Sequence, residues 1–153
     1  MKLKTILTAG LIAGLMDISA AIIVYAFILD LTTTQRVLQS VAAGIYGKES
    51  YKGGWQTAII GLLLHFLIAM IFAVIFYFIY PLFKKISRNK IIQGIIYGII
   101  VWTIMNKLVL PLSATKAPPF KWNYSLLSIS IIICCVGIPI AWVTNSMRAR
   151  RRY

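Results

Sequence analysis

The chain has 153 residues, of which 60% are hydrophobic and only 12% charged, and its mean hydropathy is +0.86. About a quarter of the residues of a soluble domain are charged, so this composition excludes a soluble globule with a polar coat. The formal net charge of +13 raises nucleic acid as a partner, but the cations sit at the ends of apolar blocks, which is a topology signal, and no nucleic acid partner is expected.

A helix rises about 1.5 Å per residue and needs about 20 apolar residues to cross about 30 Å of hydrocarbon. Four blocks meet that length: residues 5–31, 56–83, 91–112 and 124–145. They use most of the chain, so residues 1–153 are read as one integral membrane domain. The expected fold class is all-α, a four-transmembrane-helix bundle with one additional outer interfacial amphipathic helix.

The first block is preceded by Met1-Lys-Leu-Lys and contains Ser19-Ala20-Ala21, which together imitate a secretory signal peptide. The apolar run continues through Ile22, Ile23, Val24 and Ile28, far beyond a signal core, and it carries Asp17. It reads as a retained span. Gly10 and Gly14, four apart, open one of its faces to close backbone approach. Residues 34–46 then place Val37, Leu38, Val41, Ala42 and Ile45 at helical spacing, with Thr32 to Thr34 as N-cap hydroxyls and Gly47 as a C-cap. Thirteen or so residues cannot span a bilayer. An amphipathic helix in the outer interface, or packed over the mouth of the bundle, fits the pattern.

The second block carries His65 and ends near Pro81, where a proline stops a helix without removing an interior hydrogen bond. The third carries Gly94 and Gly98, again four apart, and then Asn106 and Lys107. The loop after it holds Pro118 and Pro119 and is expected to be extended. The fourth block contains the adjacent Cys134 and Cys135, which have no disulfide or metal spacing, and Pro139, which is expected to kink it. Trp55, Trp122 and Tyr124 mark the outer boundary, and Tyr77, Phe78, Tyr80 and Trp142 the inner one.

Charge gives the bundle a direction. Lys2, Lys4, Lys84, Lys85, Arg88, Lys90, Arg148, Arg150, Arg151 and Arg152 fall on one side of the hairpin pair. The other side carries Arg36, Lys48, Lys52, Lys116 and Lys121, partly offset by Glu49 and Asp30. Excess Lys and Arg mark the cytoplasmic side, so both termini are expected there. Arg148, Arg150, Arg151 and Arg152 then lie among anionic lipid headgroups, each worth about 1 kcal/mol.

Four polar residues are out of place in hydrocarbon, where an ionisable group costs at least about 2.5–3.5 kcal/mol and usually faces a partner inside the bundle. By rise per residue, Asp17 lies about 12 Å and His65 about 13 Å below the outer surface. Asn106 lies about 8 Å below it, with Lys107 beside it, able to snorkel outward or down toward Asp17. Asp17, His65, Asn106 and Lys107 are therefore the candidate binding or proton-relay residues. A polar clasp that fixes helix register would use the same four.

Enzymatic readings find little on these residues. Ser128, Ser130 or Cys134 near His65 has no nucleophile motif around it. A zinc site needs three or four ligands, and one His with one buried carboxylate falls short, so no metal is expected. Haem ligation by His65 with Met16 or Met70 is thin support, and no cofactor and no catalytic residue is assigned.

Four stretches carry a resemblance: Ala9-Gly-Leu-Ile-Ala-Gly-Leu-Met-Asp17, Arg36-Val-Leu-Gln-Ser-Val-Ala-Ala-Gly-Ile-Tyr-Gly47, Gly61-Leu-Leu-Leu-His-Phe-Leu-Ile-Ala69 and Trp102-Thr-Ile-Met-Asn-Lys-Leu-Val-Leu-Pro-Leu-Ser113. In these the chain resembles the YagU-like group of small bacterial inner-membrane proteins. The resemblance implies the multi-pass topology and a bacterial inner membrane, and it adds no site residue. The expected function is a small-solute or proton-linked permeation or binding site in the outer half of the bundle. The alternative is an accessory or structural subunit that binds another membrane protein or a second copy of itself through its Gly-lined faces, and a membrane-embedded enzyme ranks below both.

Overall fold

The computed structural model of the protein describes residues 2–115 and 122–149. The expectations for Lys116, Pro118, Pro119, Lys121, Arg150, Arg151 and Arg152 lie outside the described residues. Among the described residues all regular structure is helical: α1 spans Lys2–Ile28, α2 Thr34–Tyr46, α3 Gly54–Ile86, α4 Lys90–Leu112 and α5 Trp122–Ala149. Four of these, α1, α3, α4 and α5, are long and apolar enough to cross a membrane. Lys2 and Ala149 line the same cavity, so both ends of the described chain lie at one end of the bundle, the basic end.

The packing is turned inside out relative to a soluble bundle. Leu3, Leu7, Leu11 and Leu15 form an exposed row on α1, as do Ile59, Leu63, Leu67 and Ile71 on α3, while Ala9, Ala13, Ala69 and Ala73 are buried between helices. A soluble protein does not expose apolar rows of this extent. In lipid they cost nothing, and close packing of small residues holds the helices together instead. Gly10 faces Met70, and Gly14 faces Phe66 and Ala69, where α1 lies on α3. Gly94 faces Ile138 and Gly98 faces Ile133, where α4 meets α5, and a Cβ at Gly137 would overlap the Gly94 carbonyl. All of these contacts are made within the chain. Below them Phe72, Phe76, Tyr97, Val101, Val136 and Ile140 fill the centre of the bundle. Tyr97 donates its hydroxyl to the Phe72 carbonyl at 2.6 Å.

The helix ends differ from the sequence reading by up to four residues, and two of the differences have a local cause. Helix α1 stops at Ile28 rather than residue 31. The chain turns through Asp30 in the left-handed region (φ 47°), and the Leu31 amide reaches back to the Tyr25 carbonyl at 3.0 Å. Helix α3 runs through Pro81 to Ile86, so this proline does not end it. Pro81 has no N–H to give the Tyr77 carbonyl four residues earlier. Arg148 of α5 supplies the missing donor, its Nη2 lying 2.7 Å from that oxygen. The break expected at Pro139 takes the form of a π turn over Ile133–Gly137 just before it. Similar turns occupy Ile23–Ile28 and Met105–Val109.

Helix α2 begins with Thr33, whose hydroxyl accepts the Arg36 amide at 3.3 Å, and ends at Gly47, whose φ of 59° favours glycine. It lies directly on α3. Gly61 has no side chain to keep the Leu38 carbonyl away, and Ala42 and Ala43 are fully buried. Gln39, 2% exposed, donates its amide to the Gly54 carbonyl at 2.9 Å and to Thr57 Oγ1 at 3.2 Å. Ser50 in the short 3-10 turn Gly47–Lys52 donates to the Gln39 carbonyl at 2.9 Å. The helix is thereby fastened across the start of α3. Ile45, expected on its packed face, is 60% exposed instead.

Candidate functional site

Helix α1 brings Asp17 and α3 brings His65 to one place. The α1–α3 contact at Gly14 is close enough for His65 Nε2 to reach the Gly14 carbonyl at 2.9 Å. A carbonyl only accepts, so Nε2 is the donor in this contact. One Asp17 carboxylate oxygen lies 3.9 Å from the same nitrogen, beyond hydrogen-bond length. Among the described residues no hydrogen bond reaches the Asp17 carboxylate, and His65 is its one ion-pair contact.

What faces the pair is space. A cavity of about 750 Å³ reaches Asp17 and His65 and is roofed by α2. Its polar lining also includes Tyr25, Thr32, Arg36, Ser40 and Tyr51, and Ile18, Ala21, Val37, Val41 and Met105 form its apolar walls. Asp17 and His65 line it with side chains 21% and 13% exposed. Arg36 is exposed on α2. An acid, an imidazole, a guanidinium and two phenols thus surround one vestibule. They can bind a small polar solute, and the acid and imidazole can exchange a proton with it.

The structure does not bring Asn106 or Lys107 into this group. Asn106 donates its amide to the Trp102 carbonyl of its own helix at 2.9 Å. Lys107 is exposed, and neither residue lines the cavity. Nearness in depth does not fix bearing: Met105, at the start of the π turn Met105–Val109, lines the vestibule, and Asn106 does not. Arg148, expected among lipid headgroups, has its guanidinium bonded to Tyr77 and lying 4.0 Å from the Tyr77 ring centroid. Among the described residues no three His, Cys, Asp or Glu side chains converge as metal ligands would.

Sequence reasoning missed Tyr25, Arg36 and Tyr51. Tyr25 was legible, since positions 17, 21 and 25 follow the four-residue spacing of one helix face. Arg36 and Tyr51 were not, because their place depends on how α2 folds back over the bundle. No family model, no curated protein and no solved structure matches the chain.

Proposed function

We propose that this chain is a multi-pass protein of the bacterial inner membrane that takes up a small polar solute at Asp17 and His65, with the solute's binding linked to a proton. Both termini face the cytoplasm in this reading, and the vestibule opens to the outer side. Helix α2 lies in the outer interface, where exposed Ile45 and Tyr46 meet lipid. The observation that carries the proposal is the cavity of about 750 Å³ that the Asp17–His65 pair lines. A structural clasp would surround Asp17 with donors from its neighbours. Among the described residues the carboxylate has only His65, at 3.9 Å, and it lines the cavity, an arrangement that suits an external partner better than an internal one.

Beneath the vestibule, Phe72, Phe76, Tyr97 and Val101 are packed and buried. The site is therefore a binding pocket open to one side, and passage through the bundle requires these side chains to part. The resemblance to the YagU-like group agrees with this setting and contributes no chemistry.

The test is a proteoliposome assay with a trapped pH-sensitive dye and a panel of small amines, amino acids and carboxylic acids. At least one solute should drive a pH change through the wild-type protein. Asp17→Asn and His65→Gln should each abolish that change while the melting temperature is retained. If no solute gives a signal, and Asp17→Asn only lowers the melting temperature, the pair is a structural element of an accessory subunit.

A further inference from the structure

The basic end of the bundle holds a second cavity, of about 870 Å³. Each spanning helix sends one cation to it: Lys2 from α1, Lys84 from α3, Lys90 from α4 and Arg148 from α5. The chain has three acidic residues in all. Asp17 lies in the vestibule, Asp30 follows the end of α1, and Glu49 pairs with Lys52 at 2.8 Å. Among the described residues no acidic side chain lines the cleft, so the four like charges converge there without an Asp or Glu beside them.

The cleft is also built, not merely charged. Arg148 is fixed by the Tyr77 carbonyl and lies over the Tyr80 ring at 4.6 Å. Tyr80 donates to Asn145 at 2.9 Å, and Asn145 donates to Gln93 at 2.8 Å. Gln93, 1% exposed, donates to the Ser87 carbonyl at 2.7 Å. Lys90 is held 3.1 Å from the Trp142 ring centroid. The Lys84 ammonium remains exposed beside this preset floor.

We infer that this cleft binds the phosphate group of an acidic phospholipid. Phosphate oxygens match converging Lys and Arg donors, and such a ligand supplies the negative charge that no acidic side chain among the described residues brings to the cleft. A free phosphate offers the same oxygens. The lipid source is favoured because Phe78 and Pro81 wall the cleft while Phe78, 69% exposed, also belongs to the outward apolar surface, so the cleft borders the bilayer on that side. This inference is independent of the vestibule at the other end.

The experiment measures the thermal shift of the detergent-purified protein as phosphatidylglycerol, phosphatidylcholine or inorganic phosphate is added. Phosphatidylglycerol should raise the melting temperature saturably, and the other two should not at equal phosphate concentration. Removing one cleft lysine should weaken apparent affinity roughly fivefold, and Lys84→Gln with Lys90→Gln together roughly 25-fold. Lys85→Gln, an exposed neighbour that does not line the cleft, should leave affinity within about twofold of wild type. Equal losses from Lys84→Gln and Lys85→Gln would overturn the site in favour of diffuse attraction. Equal stabilisation by inorganic phosphate would overturn its assignment to a lipid.

Discussion

A single methyl at Gly61 tests how α2 is seated on α3. A Cβ there overlaps the Leu38 carbonyl oxygen and stands 2.8 Å from its carbon and 3.3 Å from the Ala42 nitrogen. Carbon atoms rest about 3.5 Å or more apart, so α2 must withdraw by roughly an ångström. The obstacle is backbone in the middle of a 13-residue helix, which cannot swing aside as a side chain can. Withdrawal strains the Gln39 bonds to Gly54 and Thr57 and the Ser50 bond to Gln39, each worth about 1 kcal/mol. Overpacking of this kind costs about 1–3 kcal/mol. We expect Gly61→Ala to lose about 2–4 kcal/mol, a fall in melting temperature of roughly 5–15 °C for a chain of this size.

Gly44 is the matched control on α2 itself. Among the described residues a Cβ there meets only Ser113 Cβ, at 3.9 Å, so Gly44→Ala should gain about 0.4–1 kcal/mol from helix propensity. Scanning fluorimetry of both variants in one detergent reads the two signs. A charged maleimide should also label Ser40→Cys faster when Gly61→Ala has lifted the vestibule roof. If Gly61→Ala melts at or above wild type, or if the two glycines shift in the same direction, α2 is not seated on α3 in this way.

Two further outcomes follow from groups with missing or borrowed partners. Arg148→Met should cost about 1–3 kcal/mol by leaving the Tyr77 carbonyl without a donor, and less in a Pro81→Ala background, where the restored amide at position 81 can serve it. A double-mutant cycle of melting curves should show a coupling of at least about 0.5 kcal/mol, and strict additivity would contradict the borrowed donor. Thr144 is 1% exposed, and among the described residues its hydroxyl has no hydrogen-bond partner. Thr144→Val should therefore leave stability unchanged or raise it by about 1 kcal/mol, and a clear drop in melting temperature would mean the hydroxyl is satisfied.

The spanning helices were legible because hydrocarbon thickness imposes a length that composition reveals directly. The close-packing glycines were legible for a similar reason, since Gly10 with Gly14 and Gly94 with Gly98 repeat within one helix. Asp17 and His65 could be placed at one depth by counting, but counting gives no angle, and the structure does not bring Asn106 and Lys107 to the pair. The path of α3 through Pro81 was hidden for another reason. Whether a proline ends a helix depends on who takes the orphaned carbonyl, and here the donor is 71 positions away from Tyr77 in Arg148. Arg36 read as a topological charge, and only the fold-back of α2 over the vestibule gave it a site.

The π turn at Ile133–Gly137 has a consequence for how α5 tolerates change. Such a turn carries one residue more than the α-helical path needs, and each residue accounts for about 100° of rotation. Asn145 and Arg148 meet Tyr80 and Tyr77 only because that extra residue has already turned them. Deleting Cys134 or Cys135 would mend the local hydrogen bonding and point both side chains away from the cleft. Substituting either cysteine leaves the rotation intact. What the pair contributes to the basic end is spacing rather than sulfur.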